Sequence, residues 1–393
     1  MDSLGCRLRI ALVAGLFLSG FLVARTEAVV VSTTQGNTTA PTDDFGFANV
    51  GVKDENTLGT WDDTTGIYLG YRWVLTAWHV TTSNITLNGQ SYVVESGTTE
   101  RLTNPSDLGL SQYTDLRLYR ITKDPWLPTL KIAETPLDVS DEVILVGNGQ
   151  NRANDVTAWD VNGTTWTVTT PPGDREGYYF GSGRTLRWGT NRVNETGISV
   201  ELSTTNQFAG FSTDFDQYPG GINGATAYEA QATPGDSGGG VFHKNDEQWE
   251  LSGLIHAVSE YANQPQNAQP LFGLDTFCSD LSIYRDLIVN TIAPLPGDAT
   301  LDGWVNAIDA SIMAANWGQQ GTLWGHGDFN EDGTVDALDA AILAQHWGEE
   351  DPSWHPPVVE AALGVPEPSM VVLLAVGLMG LAARRRTRRS GCA

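Results

Sequence analysis

Basic residues, cysteine and long hydrophobic runs are all scarce in this sequence. Its 393 residues hold 22 Lys and Arg against 47 Asp and Glu, a formal charge of −25. That balance excludes a nucleic-acid binder, because phosphate contacts need clustered Lys and Arg. The three cysteines exclude a disulfide framework: Cys6 and Cys392 lie in terminal segments and leave Cys278 alone. The two uncharged apolar stretches, 10–23 and 370–383, would each give a helix of roughly 21 Å, short of the ~30 Å hydrocarbon layer. What is present is a core: 40% hydrophobic residues and 13 Trp rule out wholesale disorder. The length suits one large domain with a small companion, or two to three ordinary domains.

Both ends carry targeting patterns. Residues 1–28 place Arg7 and Arg9 before the apolar run and small residues up to Ala28. This is the layout of a signal peptide cleaved after Ala24 or Ala28, with an uncleaved anchor as the alternative. At the other end, VPEPS at 365–369 precedes the second apolar run and then Arg384, Arg385, Arg386, Arg388 and Arg389. Such a cluster stays on the cytoplasmic side and stalls the tail in the membrane. Pro366, Glu367 and Pro368 with this three-part pattern resemble the PEP-CTERM sorting signal of Gram-negative-type bacteria. The resemblance implies an exosortase-type processing enzyme and a location at the cell envelope or surface. An ordinary tail anchor is the alternative.

Residues 297–318 and 327–348 align at a 30-residue offset with 12 identities in 22 positions. Each copy opens with oxygen-bearing side chains at loop positions 1, 3, 5, 9 and 12 and Gly at position 6. These are Asp298, Thr300, Asp302, Asn306 and Asp309, then Asp328, Asn330, Asp332, Asp336 and Asp339. Calcium takes six to eight oxygens in a flexible cage, and the Gly allows the sharp turn between ligands. Carbonyls of Trp304 and Thr334 would fill position 7 in these EF-hand-like loops. Apolar residues at Ile308, Ile312 and Met313, or Leu338, Ile342 and Leu343, predict a helix after each loop, closing at Trp317 or Trp347. The duplicated loop and helix resemble a type I dockerin, which implies two bound Ca²⁺ and a cohesin-like partner. Apolar pairs (Ala307 and Ile308; Ala337 and Leu338) stand where many cohesin-binding dockerins carry hydroxyls.

The middle of the chain is written in strand vocabulary, with short alternating runs such as LRLYRI and TWTVTT between Gly, Asn and Pro. Three motifs stand on it. GIYLGYRWVLTAWHV puts His79 at the end of an apolar strand, TDLRLYRI puts Asp115 at the start of another, and TPGDSGGGVF puts Ser237 among glycines. A serine hydroxyl is a poor nucleophile until a His takes its proton, and that His needs a carboxylate on its other nitrogen. Asp107 competes with Asp115, but no alternation follows it. Ser237 also fits G-x-S-x-G, yet that elbow needs a following helix, whereas residues 241–258 read as a hairpin.

In this order the motifs resemble the trypsin-like serine proteases. The resemblance implies a mainly β fold of two six-stranded barrels, followed by the small α-helical dockerin domain and the C-terminal hydrophobic helix. It implies His79 as general base, Asp115 as its partner and Ser237 as nucleophile of a serine endopeptidase. The N–H groups of Gly235 and Ser237 would form the oxyanion hole, and no cofactor enters catalysis. Asp236 would be the carboxylate that pairs with a new amino terminus or another cation; cleavage after Ala28 would supply Val29. Gln231 would line the floor of the primary pocket, without the carboxylate that favours Lys or Arg substrates. His256 would lie on the pocket wall, where similar glutamyl endopeptidases bind an acidic side chain. Trp78 departs from the small residue usual before the histidine.

The expected order is signal peptide 1–28, protease domain 29–293, dockerin-like domain 294–349, linker 350–365 and sorting segment 366–393. A second function class, a catalytically silent shell used for adhesion with the repeat as the docking element, stays open.

Overall fold

A computed structural model describes residues 7–9, 29–34, 36–53, 64–217, 224–266, 268 and 270–351. Within residues 1–28, only the strand Arg7–Arg9 is described, running parallel to Ser199–Glu201. The remainder of 1–28, the expected linker beyond Asp351 and the expected hydrophobic helix of the sorting segment 366–393 lie outside the described residues. Among those described, no helix is long and apolar enough to cross a membrane. The chain divides into two compact units, Met1–Ile292 and Ala293–Ala393.

In the first unit, one sheet runs in the order Gln90–Tyr92, Ile85–Leu87, Val50–Lys53, Thr65–Gly70, Trp73–Ala77, Tyr113–Arg120, Glu100–Thr103. Its ends meet. Val94 bridges Ile121, and the Glu95 and Thr122 amides donate to the Arg120 and Val93 carbonyls at 2.8 Å each. Residues 90–103 thus act as one bent strand that closes a six-membered barrel, which removes the sheet's open edge. Strand alternation sorts the apolar side chains. Tyr68, Val74, Ile85, Tyr119 and Ile121 form one cluster. Ile67, Leu69, Leu75, Leu116 and Leu118 join Phe242, Leu251 and Leu254 of the following strands in a core shared by both barrels. Leu116 and Leu118 are wholly buried, so truncating either to Ala costs about 2–5 kcal/mol.

The second barrel closes through backbone pairing alone: Glu142–Gly147, Arg187–Ser203, Asn206–Asp214, Asp275–Asp280, Gln248–Val258, Gly240–Asn245 and back to the first. The expected hairpin after Ser237 is present, turning through Asp246 and Glu247, both with positive φ, as a two-residue primed turn requires. A separate three-stranded sheet is formed by Thr157–Asn162, Thr165–Thr169 and Arg175–Gly177. The helix Leu281–Ile292 buries Leu281, Tyr284, Ile288 and Ile292, one stripe at helical spacing.

In the second unit, helices Ala307–Ala315 and Ala337–Gln345 each start from a capping box. Asn306 and Asp336 accept from the Ile308 and Leu338 amides, while Asp309 and Asp339 accept from the capping residues' own N–H groups. The copies interlock by backbone bonds, Gly348 N–H to Val305 O and Gly318 N–H to Val335 O, both 2.8 Å. Met313 and Leu343 are buried in the shared core, whereas Ile308 and Leu338 are more than half exposed.

Candidate active site

The strand Trp73–Ala77 pairs with Tyr113–Arg120 in a register that sets Ala77 opposite Leu116. The chain then turns, with Trp78 N–H donating to Asp115 O at 2.8 Å, so the next residue, His79, meets the Asp115 side chain. His79 Nδ1 lies 2.6 Å from Asp115 Oδ2, and the His79 amide donates to Oδ1 at 3.1 Å. An ionised carboxylate only accepts, so the proton sits on Nδ1 and Nε2 keeps a free lone pair. Asp107 lies instead in an exposed 3-10 turn, Ser106–Leu108.

Asp115 is wholly buried and receives two further donors that nothing in its local sequence announced. Asn206 Nδ2 donates to Oδ1 at 2.7 Å, and His256 Nδ1 lies 2.8 Å from Oδ2. Burial alone would raise the Asp115 pKa; electrostatic attraction to the His79 ring and the hydrogen bonds from His256 and His79 outweigh it and hold the carboxyl well below its usual range. Asn206 is in turn held by Arg101, whose Nη2 donates to its Oδ1 at 3.0 Å. The guanidiniums of Arg101 and Arg117 stack on Trp78 at 4.8 and 4.1 Å, which explains the large residue before the histidine: it is gripped by two cations.

Ser237 stands between Gly235 (φ +104°) and Gly238 (φ +84°). Its hydroxyl donates to the His256 carbonyl at 3.3 Å and makes no hydrogen bond to His79. Among the described residues the Gly235 and Ser237 N–H groups donate to nothing. That leaves the amides on either side of Asp236 in the chain available to an oxyanion. The Asp236 carboxyl between them in the chain is buried. It accepts from Gly149 N–H at 2.6 Å, Thr233 N–H at 2.7 Å and Thr233 Oγ1 at 3.1 Å, and burial pushes its pKa up to about 6. A side chain at Gly147 would collide with Asp236 Oδ1 and come within 3.0 Å of Val29 Cγ2, so Val29 and Asp236 flank one point.

The pocket residues fall differently from expectation. His256 is not on a pocket wall: its side chain is fully buried, Nε2 lies 3.0 Å from Ser279 Oγ, and the ring stacks on Phe208 at 4.2 Å. The reason is a bulge. Ile255 pairs with Cys278 and Ala257 with Phe277, leaving His256 as the extra residue whose side chain is turned towards Asp115. Gln231 is 1% exposed, in a two-residue strand paired with Val30–Val31, and its Oε1 is buried without a partner.

Ligand atoms of His79, Asp115 and His256 lie within 4.8 Å of one another, close enough to suggest a metal trio. Both Nδ1 atoms already carry the protons that bond the carboxylate, so the arrangement reads as a proton network.

The calcium loops carry the donor set for a hard cation. Thr300 Oγ1 bonds Asp298 Oδ1 at 3.0 Å and Asp309 Oδ1 at 3.1 Å, drawing positions 1, 3 and 12 together. Burial, with the charges of Asp309 and Asp302, pushes the Asp298 carboxyl up to about 6, against the pull of a hydrogen bond from Gly303. In the second loop Gly333 N–H holds Asp328 Oδ2 at 2.9 Å, while Oδ1 is buried with no partner. Asn330 bonds Asp332 at 2.9 Å, and Asp339 Oδ1 accepts from Phe329 and Asn330. An orphaned buried carboxylate oxygen and crowded acids fit Ca²⁺. Asn306 and Asp336 each spend one side-chain oxygen on the helix cap.

Family models match three segments in order along the chain. Residues 64–254 match the trypsin-like peptidase domain, 296–346 and 326–357 the dockerin type I domain, and 364–386 the PEP-CTERM protein-sorting motif. A search of curated proteins finds no match. Among solved structures, a mutant of human heparin binding protein is 13% identical over 65% of this chain and 94% of its own, with a TM-score of 0.39. An inactive mutant form of Rv3671c from M. tuberculosis is 12% identical over 68% and 98%, TM-score 0.39. Neuropsin, a serine protease of mouse brain, is 17% identical over 66% and 99%, TM-score 0.39.

Proposed function

From a chain that carries a trypsin-like peptidase domain, a type I dockerin domain and a PEP-CTERM sorting motif, we propose an exported bacterial serine endopeptidase tethered at the cell envelope. The observation that carries this reading is the free Nε2 of His79, whose Nδ1 is pinned at 2.6 Å to a buried carboxylate. Ser237 Oγ swings from the His256 carbonyl to His79, gives up its proton and attacks the substrate carbonyl carbon. The Gly235 and Ser237 N–H groups hold the oxyanion, each worth on the order of 10²–10³ in rate. His79 passes the proton to the departing amine, and water then releases the acyl group by the same route. Residue 231 is a buried Gln in the strand paired with Val30–Val31, so it brings no carboxylate that would favour cleavage after Lys or Arg.

Ca²⁺ would be held by Asp298, Thr300, Asp302, Asn306 and Asp309 in one loop and by Asp328, Asn330, Asp332, Asp336 and Asp339 in the other. It supplies structural charge neutralisation and takes no part in hydrolysis. A cohesin-like protein would dock on this module, an exosortase-type enzyme would process the tail, and the membrane would be met through 366–393. Anchoring raises the local concentration of envelope substrates.

The orientation of the Ser237 hydroxyl towards His256 O favours a second reading, a silent binding shell. A peptide-library digest separates the two. Cleavage by the purified protein, lost in Ser237→Ala, supports the enzyme; an intact library with correctly folded protein supports the binder.

A further inference from the structure

We propose that His256 is a positioning residue for the reaction inferred above, and this rests on that reading. Fixed in its Nδ1–H tautomer by Ser279, it donates to Asp115 Oδ2 and sets the carboxylate that orients His79.

The geometry that carries this lies at the junction of the two barrels. His79 and Asp115 belong to the first barrel, whereas Ser237, His256 and Ser279 belong to the second. Nucleophile and base therefore sit on different barrels, and the angle of attack depends on what ties the barrels together at this point. His256 does so twice. Its side chain reaches Asp115 at 2.8 Å, and its carbonyl accepts from the Ser237 hydroxyl at 3.3 Å. Misplacement of a reacting group by about 1 Å can cost about 10²-fold in rate.

The tautomer follows from partner chemistry. Asp115 is ionised and can only accept, so His256 Nδ1 must carry a proton. Burial lowers the His256 pKa, against the hydrogen bond and charge of Asp115, and the neighbouring His79 ring lowers it further. Neutral imidazole then leaves Nε2 as an acceptor, and Ser279 Oγ, 3.0 Å away, is the hydroxyl that donates to it. Asp115 and His79 are the titratable groups acting on this ring. The strand Asp275–Asp280 contributes the Ser279 hydroxyl, and Asn206–Asp214 contributes the Phe208 ring. A second N–H on Oδ2 also makes Asp115 a weaker partner for the His79 imidazolium. Removing that donor should therefore strengthen the hold of Asp115 on the protonated base.

The test compares His256→Leu, His256→Asn and Ser279→Ala in the full chain, with ¹⁵N-histidine NMR of the wild type. Asn places an amide N–H close to the Nδ1 position. His256→Leu is expected to lower kcat about 10²-fold with KM within about twofold, and to move the acidic limb of the kcat/KM profile upward. His256→Asn should recover most of kcat and return the limb, and Ser279→Ala should fall between them. The wild-type spectrum should show His256 protonated at Nδ1 and bare at Nε2 through the active pH range. Equal losses in the Leu and Asn variants would overturn the proposal, leaving a packing role on Phe208. So would an unchanged Leu variant, or an Nε2–H tautomer in the wild type. If His256→Leu does not fold, the Asn variant and the spectrum still decide. Wild type that reacts with a fluorophosphonate at Ser237 while the variants behave as wild type sinks this inference alone. Folded wild type that never reacts sinks the endopeptidase reading and this inference with it.

Discussion

Asn206 Nδ2 donates to Asp115 Oδ1 at 2.7 Å, reaching from the second barrel to a carboxylate of the first. Asn206→Ala removes one of four donors from a buried charge, a loss of about 1–3 kcal/mol in unfolding free energy. Asn206→Asp is expected to be worse, since it sets a second carboxylate against Asp115, and to recover partly as pH falls and the new group protonates. Urea unfolding of both variants at pH 5 and 8 checks the ordering; an Asp variant as stable as wild type at pH 8 would contradict it.

Trp78 is clamped between Arg101 and Arg117, and Arg101 also orients Asn206. Trp78→Ala gives up two cation–π contacts of about 0.5–1 kcal/mol each and the packing of the ring. The expected result is a loss of about 2–3 kcal/mol with a fall in kcat, because Asn206 and then Asp115 lose their support. Denaturant titration beside steady-state kinetics measures both; a stable variant with unchanged kcat would show the stack to be incidental.

The strands were legible because alternation and turn residues are local signals, whereas their closure into two barrels came only from the family resemblance of three motifs. The duplicated loop and helix were legible because a 30-residue repeat states its spacing twice. His79 and Asp115 meet because a strand end and a strand start fall opposite each other in one antiparallel register. Asn206 and Ser279 gave no sign, since they reach the site only once two barrels face each other. His256 was placed on a pocket wall by resemblance to glutamyl endopeptidases, which carries no information on the bulge between Ile255 and Ala257, where one extra residue reverses the direction of a side chain. The helix Leu281–Ile292 did carry a readable signal, a stripe of Leu281, Tyr284, Ile288 and Ile292.

Asp236 gives a pH signature. Its folded pKa of about 6 lies above the ordinary 3.8, so its contribution to stability is complete below about pH 4 and is lost as pH rises through 6. The difference in unfolding free energy between wild type and Asp236→Asn should therefore move in favour of wild type as pH falls from 7 to 4. Chemical denaturation at unit pH steps measures it. A difference that is flat over this window would mean that the carboxyl is ionised throughout.

Calcium should stabilise the second unit alone. Binding to the folded loops at 100 times Kd adds about 2.7 kcal/mol. EDTA should lower one calorimetric transition, and Asp309→Ala or Asp339→Ala should do the same. Peptide hydrolysis should be unaffected. Affinity should fall below about pH 6, where Asp298 takes a proton that competes with the ion. Loss of hydrolysis on chelation in a chain lacking 294–393 would contradict the separation of roles.

The most direct measurement is mass spectrometry of the purified protein after treatment with a fluorophosphonate. The account predicts one adduct per chain, mapped to Ser237, absent in Ser237→Ala and slowed by His79→Ala by about 10⁴-fold or more. Folded, correctly processed protein that carries no adduct, or one that maps to another residue, would contradict it.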